Sequence, residues 1–327
     1  MDLETMSERL QEGDRRALAR AITLVESSRK DDRKRALALL ERLPAPAKPG
    51  IRIGLTGTPG VGKSSFIENF GLRLTEQGHK LAVLAVDPSS ARSGGSILGD
   101  KTRMEHLSRD ARAFIRPSPS QSSLGGVGRR TRETIALVEA WGADVVLVET
   151  VGVGQSETMV AEMTDIFVLL LAPAGGDELQ GVKRGIMEMA DILLVNKADG
   201  DLKAQAVRTC ADYAGALRLL RARPGDPKGY PMAATVSAMT GDGLDDAWSA
   251  MTTLAEKRRE SGAWDHNRAS QQLAWFNHCV TAGLTARLES DQAIKTLRDS
   301  LVTEVKNGDI TPETAADRLL DRFVPRT

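Results

Sequence analysis

One eight-residue stretch constrains this chain more than any other: Gly57-Thr58-Pro59-Gly60-Val61-Gly62-Lys63-Ser64. It fits the pattern G-x-x-x-x-G-K-[ST] of a phosphate-binding loop, and its flanks supply the context such a loop requires. Residues 51–56 form an apolar run that reads as a buried strand. Residues 65–77 read as a helix whose Phe66, Ile67, Phe70 and Leu74 share one face. Strand, glycine-rich turn and helix in that order aim backbone N–H groups and the positive end of a helix dipole at one anion. All eight loop residues, and Ser65 behind them, are therefore candidate nucleotide-binding residues. Lys63 is also a catalytic candidate, able to reach β- and γ-phosphates, and the Ser64 hydroxyl is a candidate ligand of Mg2+.

Downstream, apolar runs alternate with amphipathic stretches, the pattern of a parallel sheet covered on both faces. Strands are expected at residues 51–56, 81–86, 113–116, 145–149, 166–171, 192–196 and 233–236. Ligands of such sheets lie outside the carboxyl ends of the strands. The polar motifs of this chain fall in those places.

Asp87-Pro88-Ser89-Ser90 follows the second strand. Asp87 is a candidate to hold Mg2+ through water or to orient an attacking water; its other reading is a turn or N-cap aspartate. The glycine-bearing loop at residues 93–103 contains Asp100 and Thr102. It is the candidate first switch, able to reach the metal once a γ-phosphate is present. Residues 117–128, rich in Pro, Ser and Gly, read as a connecting or partner-facing loop.

The fourth strand ends in Glu149-Thr150-Val151-Gly152, the D-x-x-G shape of a second switch with Glu replacing Asp. Glu149 can bind Mg2+ through water, and the Gly152 N–H can meet the γ-phosphate. Val153 stands where many GTPases place a water-orienting glutamine, and Gln155 lies two residues further on. Slow unassisted hydrolysis is the expectation, with Asp87, Glu149 or a partner supplying the missing group. After the fifth strand, residues 173–184 join a flexible loop to a charged helix start. Taken alone, they read as a connection with an acidic helix N-terminus.

Asn196-Lys197-Ala198-Asp199 follows the sixth strand and matches N-K-x-D. The Asp199 carboxylate can accept from guanine N1–H and the 2-amino group together, a donor pair adenine lacks. The Lys197 stem can cover the base while Asn196 braces the loop. Ser237-Ala238-Met239, after the seventh strand, matches the S-A-x loop whose backbone N–H meets guanine O6. In this order the motifs point to GTP/GDP with Mg2+ rather than to ATP.

The 44 basic and 44 acidic residues cancel, so no global field recruits nucleic acid or an anionic membrane. Cys210 and Cys279 lie far apart, which suits a reducing cytoplasmic setting and excludes a disulfide framework. No apolar stretch is long enough to span a membrane. Residues 1–45 read as two helices before Pro44, Pro46 and Pro49, the first with Leu10, Ala17, Ile22 and Leu24, the second with Leu37, Leu39 and Leu40. The chain beyond Leu244 reads as helical: Trp248, Met251 and Leu254 make one face, Trp264, Leu273, Trp275 and Phe276 begin another region, and Thr311-Pro312-Glu313 starts a last helix.

These motifs together closely resemble the MeaB/ArgK/MMAA family, G-protein chaperones of adenosylcobalamin-dependent methylmalonyl-CoA mutase. The matching runs are residues 57–64, 85–90, 94–104, 114–118, 148–157, 176–181 and 196–199. The resemblance implies an α/β parallel-sheet P-loop GTPase of the signal-recognition/MinD-type class with N- and C-terminal helical extensions. Domains are expected at residues 1–45 (helical extension), 46–262 (GTPase) and 263–327 (helical dimerisation region). It also implies GTP hydrolysis, a homodimer, and control of cobalamin loading with protection or reactivation of the mutase. Asp177, Glu178, Gln180 and Lys183 then belong to a third switch that couples nucleotide state to the mutase, in place of the plain connection read from those residues alone. Three rivals remain. A metal-insertion GTPase for nickel enzymes needs a His- or Cys-rich tract, against which stand four scattered His and two Cys. A kinase-type ATPase of a lysine/arginine/ornithine transport system would move phosphate to protein. A nucleotide-dependent binding module would hardly turn over.

Overall fold

A computed structural model describes residues 2–44, 49–86, 104–117, 124–150, 156–173, 184–220 and 223–323. Seven strands form one sheet: β1 (Ile51–Thr56), β2 (Leu81–Val86), β3 (Ala113–Arg116), β4 (Val145–Thr150), β5 (Ile166–Leu171), β6 (Ile192–Val195) and β7 (Met232–Thr235). Their order is β3-β2-β4-β1-β5-β6-β7, and every pairing is parallel. Strands β4 and β5 are buried along their whole length, as unbroken apolar runs require when helices cover both faces. Three strands shift by one residue at one or both ends. β4 continues to Thr150, whose hydroxyl donates to Thr56 Oγ1 at 2.8 Å. β6 stops at Val195 because Asn196 turns its side chain to the phosphate loop. β7 begins at Met232, in register with Ile192.

Alternate strand residues feed two cores. Ile53, Leu55, Leu147 and Val168 pack with Phe66, Ile67, Phe70 and Leu74 of the helix that follows β1. Ala82, Val146, Val148 and Leu169 pack on the other face with Trp141 and with Leu10, Leu18, Ile22 and Leu39 from the N-terminal region. That region holds three helices rather than the expected two: α1 (Leu3–Gln11), α2 (Arg15–Glu26) and α3 (Lys30–Leu40). The break falls at Gly13, at φ +82°, where Asp14 caps α2 by accepting from the N–H groups of Arg16 and Ala17 at 2.7 and 3.2 Å. Leu39 is buried on α3, whereas Leu37 faces solvent.

By its contacts the chain divides into two units, Met1–Arg268 and Ala269–Thr327. The division falls inside one long helix, Ala263–Ser290. The second unit contains the end of that helix, Gln292–Asn307 and Pro312–Phe323. Its interior is small: Ile294, Leu301 and Ala315 are buried, while Leu273, Phe276, Val280 and Leu284 are exposed. Among the described residues no helix is long and apolar enough to cross a membrane.

Candidate nucleotide site

β1 lies where the strand order reverses, between β4 and β5, and its carboxyl end opens into the phosphate loop. The helix behind the loop, α4, runs Lys63–Glu76 and starts two residues earlier than the apolar periodicity indicated. Gly62 sets that start: it sits at φ +93°, and a Cβ there would meet the Asn196 amide nitrogen at 2.7 Å. Phe66 N–H donates to the Gly62 carbonyl at 2.9 Å. The N–H groups of Lys63, Ser64 and Ser65 therefore have no carbonyl within the helix and face the loop as anion donors. Val61 is buried and pins the loop to the core.

The Lys63 ammonium folds back on the loop, donating to the carbonyls of Gly57 at 2.7 Å and Thr58 at 3.3 Å. Burial pushes its pKa down, opposed by the carboxylates of Glu149 and Glu157. Glu149 is buried on β4 in register with Leu55 of β1, which puts a carboxylate beside the phosphate loop. Ser64 and Glu149 offer hydroxyl and carboxylate oxygens, the donor chemistry Mg2+ takes. Glu157 is fully buried at the start of the helix Ser156–Ala161. It lies within a family-matching run, yet the sequence reading gave it no role. The available signal was a carboxylate one turn before the core residue Val160.

The base-recognition segment meets the same loop. Asn196 is buried; its amide nitrogen donates to the Val61 carbonyl at 2.9 Å and its amide oxygen accepts from Ala238 N–H at 2.9 Å. Lys197 takes a positive φ of 59° and donates to the Gly60 carbonyl at 2.8 Å. Asp199 accepts from the Ser237 hydroxyl at 2.6 Å, and Ala198 N–H donates to the Val236 carbonyl at 3.1 Å. Met239 is exposed at the tip. Residues 57–65, 196–199 and 237–239 thus form one connected surface at the carboxyl edge, with Glu149 beneath it. Of the other candidates, Asp87, Asp100, Thr102, Gly152, Gln155, Asp177, Glu178, Gln180 and Lys183 lie outside the described residues, as do residues 118–123 of the loop expected at 117–128; the rest of that expectation is corrected, because residues 124–128 begin the helix Leu124–Ala140.

Residues 18–293 match the family described as methylmalonyl Co-A mutase-associated GTPase MeaB. A putative GTPase of Caulobacter vibrioides is 52% identical over 323 residues, 99% of this chain and 98% of that protein. The mitochondrial methylmalonic aciduria type A homolog of Mus musculus is 48% identical over 327 residues, covering 97% of this chain and 78% of that protein. A crystal structure described as LAO/AO transport system kinase superposes with a TM-score of 0.78 at 35% identity, over 98% of this chain and 97% of that one.

Proposed function

The chain belongs to the methylmalonyl-CoA mutase-associated GTPase family and is a GTPase, and from that premise we propose that it works as a nucleotide-driven chaperone of adenosylcobalamin-dependent methylmalonyl-CoA mutase. One observation carries the site assignment: the Asn196 and Lys197 side chains bond directly to carbonyls of the phosphate loop, so base reading and phosphate reading share one rigid unit. GTP bound there has its guanine read by Asp199 and by N–H groups of residues 237–239. Its phosphates are held by the loop N–H groups and by Lys63, which exchanges the Gly57 and Thr58 carbonyls for phosphate oxygens. Ser64 and Glu149, with Asp87 and Asp100, would hold Mg2+, which would supply positive charge against the triphosphate. Water attacks the γ-phosphorus in line as its bond to the β–γ bridging oxygen breaks, GDP leaves and the water's proton passes to the released phosphate; preorganised N–H donors and Lys63 stabilise the charge that develops.

The mutase reading draws on the description of the matching family and on the name of the mouse relative. Gating of cobalamin loading, protection of the mutase, a homodimer and a cytoplasmic setting belong to the same proposal, and the free thiols of Cys210 and Cys279 suit a reducing compartment. The structural relative, described as a transport system kinase, favours a second reading, in which phosphate would pass to a protein. One experiment separates the two. Radiolabelled GTP is followed with and without the cognate mutase, for the native chain and for Lys183→Ala. The proposal expects label in free phosphate and faster turnover with the mutase. Lys183→Ala should keep intrinsic hydrolysis within a few-fold and lose most of the acceleration, a coupling of about 1–3 kcal/mol. Label retained on protein supports the kinase, and a native chain indifferent to the mutase removes the chaperone role.

A further inference from the structure

We propose that Arg73, on the phosphate-loop helix, is a positioning residue that clamps the base-reading loop and so sets affinity for the guanine end of the nucleotide. It rests on the assignment of residues 237–239 to guanine O6, and it gives a role to a side chain that no motif contains.

The loop from Ser237 to Gly243 is tied down on one side by residues already described: Ser237 bonds Asp199, and Ala238 N–H bonds Asn196. Its interior closes through Gly241 N–H to the Ser237 carbonyl and Ser237 N–H to the Asp242 carbonyl, both at 2.9 Å, and through Thr240 N–H to the Ser237 hydroxyl at 3.1 Å. These bonds hold the loop to itself and to the Asn196 segment. Its far arm, which leads into the helix Leu244–Glu260 and carries the bond of Leu244 N–H to the Gly241 carbonyl at 3.3 Å, is also held from outside, at the place where it meets the phosphate-loop helix.

Arg73 occupies that place. Its guanidinium pairs with the Asp245 carboxylate in the first turn of that helix, and Gln77 reaches the other Asp245 oxygen at 3.5 Å. The guanidinium also lies against Gly241. A Cβ at that position would come within 2.1 Å of Nη2 and 3.0 Å of Cζ, and the residue has φ +84°. Gly241 is therefore the residue that lets a planar cation approach the loop backbone. Arg73 and Met239 line the same open groove of about 570 Å3, which puts the clamp beside the tip of the loop. Beneath it, Phe70 packs edge-on against Trp248 with centroids 6.0 Å apart, fixing the spacing of the two helices. One rigid helix thus presents phosphate donors at its first turn and, ten residues on, the side chain that steadies the guanine loop.

The side chains of Arg73 and Asp245 are 35% and 61% exposed, so solvent screens the pair and its effect is modest. Arg73→Ala should raise Kd for GDP and KM for GTP about threefold to fivefold, the range a screened pair supports. The turnover number at saturating GTP should stay within about twofold, and binding of inorganic pyrophosphate should not change, because the phosphate loop is untouched. Arg73→Lys should recover most of the GDP affinity, and Asp245→Asn should reproduce the loss without altering side-chain volume. The assay is calorimetric titration of the full chain with GDP, ADP and pyrophosphate, alongside GTPase kinetics.

Equal native binding of GDP and ADP would overturn the base assignment and this inference with it. A native preference for GDP, combined with native-like GDP binding by both Arg73→Ala and Asp245→Asn, would overturn the clamp alone. Loss of pyrophosphate binding in proportion to GDP would also overturn it, since the effect would then lie in the phosphate loop. If Arg73→Ala fails to fold, Asp245→Asn decides on the same readouts.

Discussion

At the scale of single residues, the proposed site makes nucleotide choice rest on one carboxylate. Asp199 is held by the Ser237 hydroxyl on one oxygen, and as a carboxylate it offers acceptor capacity only. Asp199→Asn replaces a double acceptor with one acceptor and one donor, so a guanine donor meets an amide donor inside the site. The variant should lose GTP by about 2–4 kcal/mol through unpaired polar groups. It should gain xanthosine triphosphate, whose 2-oxo group accepts from the new amide. Competition binding with GTP, XTP and ATP checks this; unchanged selectivity would move base recognition elsewhere. The position of Asp199 beside the Ser237 loop was legible in sequence because it depends on residue type and position after a strand. The charges around Lys63 were less so. Glu149 was legible from its motif, but Glu157 is buried beside the same lysine through the packing of a helix whose spacing announces only its apolar side.

At the scale of elements, the strands were readable because burial on both faces leaves no choice but unbroken apolar runs, and their expected limits hold to within one residue. The N-terminal region was less legible. Its break at Gly13 sits inside a charged, helix-favouring stretch, and only the Asp14 cap shows that a new helix begins there. Not legible at all was the ionic network at the opposite, amino-terminal edge of the sheet. Arg258, buried in the helix Leu244–Glu260, donates to both oxygens of Asp226 at 2.6 and 3.0 Å, to Asp191 at 2.6 Å and to the Asp165 carbonyl at 2.7 Å. Burial works to lower its pKa, but the bonds to Asp226 and Asp191 more than offset this and hold it above the usual arginine range. Asp191 also accepts from Phe167 N–H at 2.7 Å, so the network fixes where β5 and β6 begin. Arg258→Ala strands the buried Asp226 carboxylate, takes one cation from Asp191, and should cost about 3 kcal/mol of folding stability. Arg223 remains on Asp191 and keeps the loss from being larger. Because this edge is remote from the phosphate loop, GDP affinity of the folded variant should be native. Urea denaturation paired with GDP titration tests both halves. A loss of less than about 1 kcal/mol would mean that the network is interchangeable with solvent.

At the scale of the whole molecule, the second unit presents an apolar face that its own interior does not use. Leu273, Phe276, Val280 and Leu284 are spaced by three, four and four residues along one helix, the repeat that lines up a single seam. They are 62%, 62%, 45% and 51% exposed, while the inward residues of the unit, Ile294, Leu301 and Ala315, are covered. A seam of that length is what a symmetric pairing of two copies needs, since each copy supplies the same stripe and each buries the other. Full burial of such a side chain contributes about 1.5–3 kcal/mol. Four from each partner give a favourable term comparable with the cost of joining two bodies, which is of order 4–15 kcal/mol. The prediction follows from removing part of the stripe. Phe276→Glu with Leu284→Glu puts two carboxylates on each side of the seam, where they must be desolvated against one another. The variant should elute and scatter light at half the native mass, with unchanged helical circular dichroism and native GDP affinity, because the phosphate and base loops lie wholly in the first unit. Charge at these positions leaves helix propensity nearly intact, so loss of mass without loss of helix isolates the association. A variant that keeps the native mass would remove this face from any dimer interface, and a native chain that is already monomeric would remove the homodimer itself.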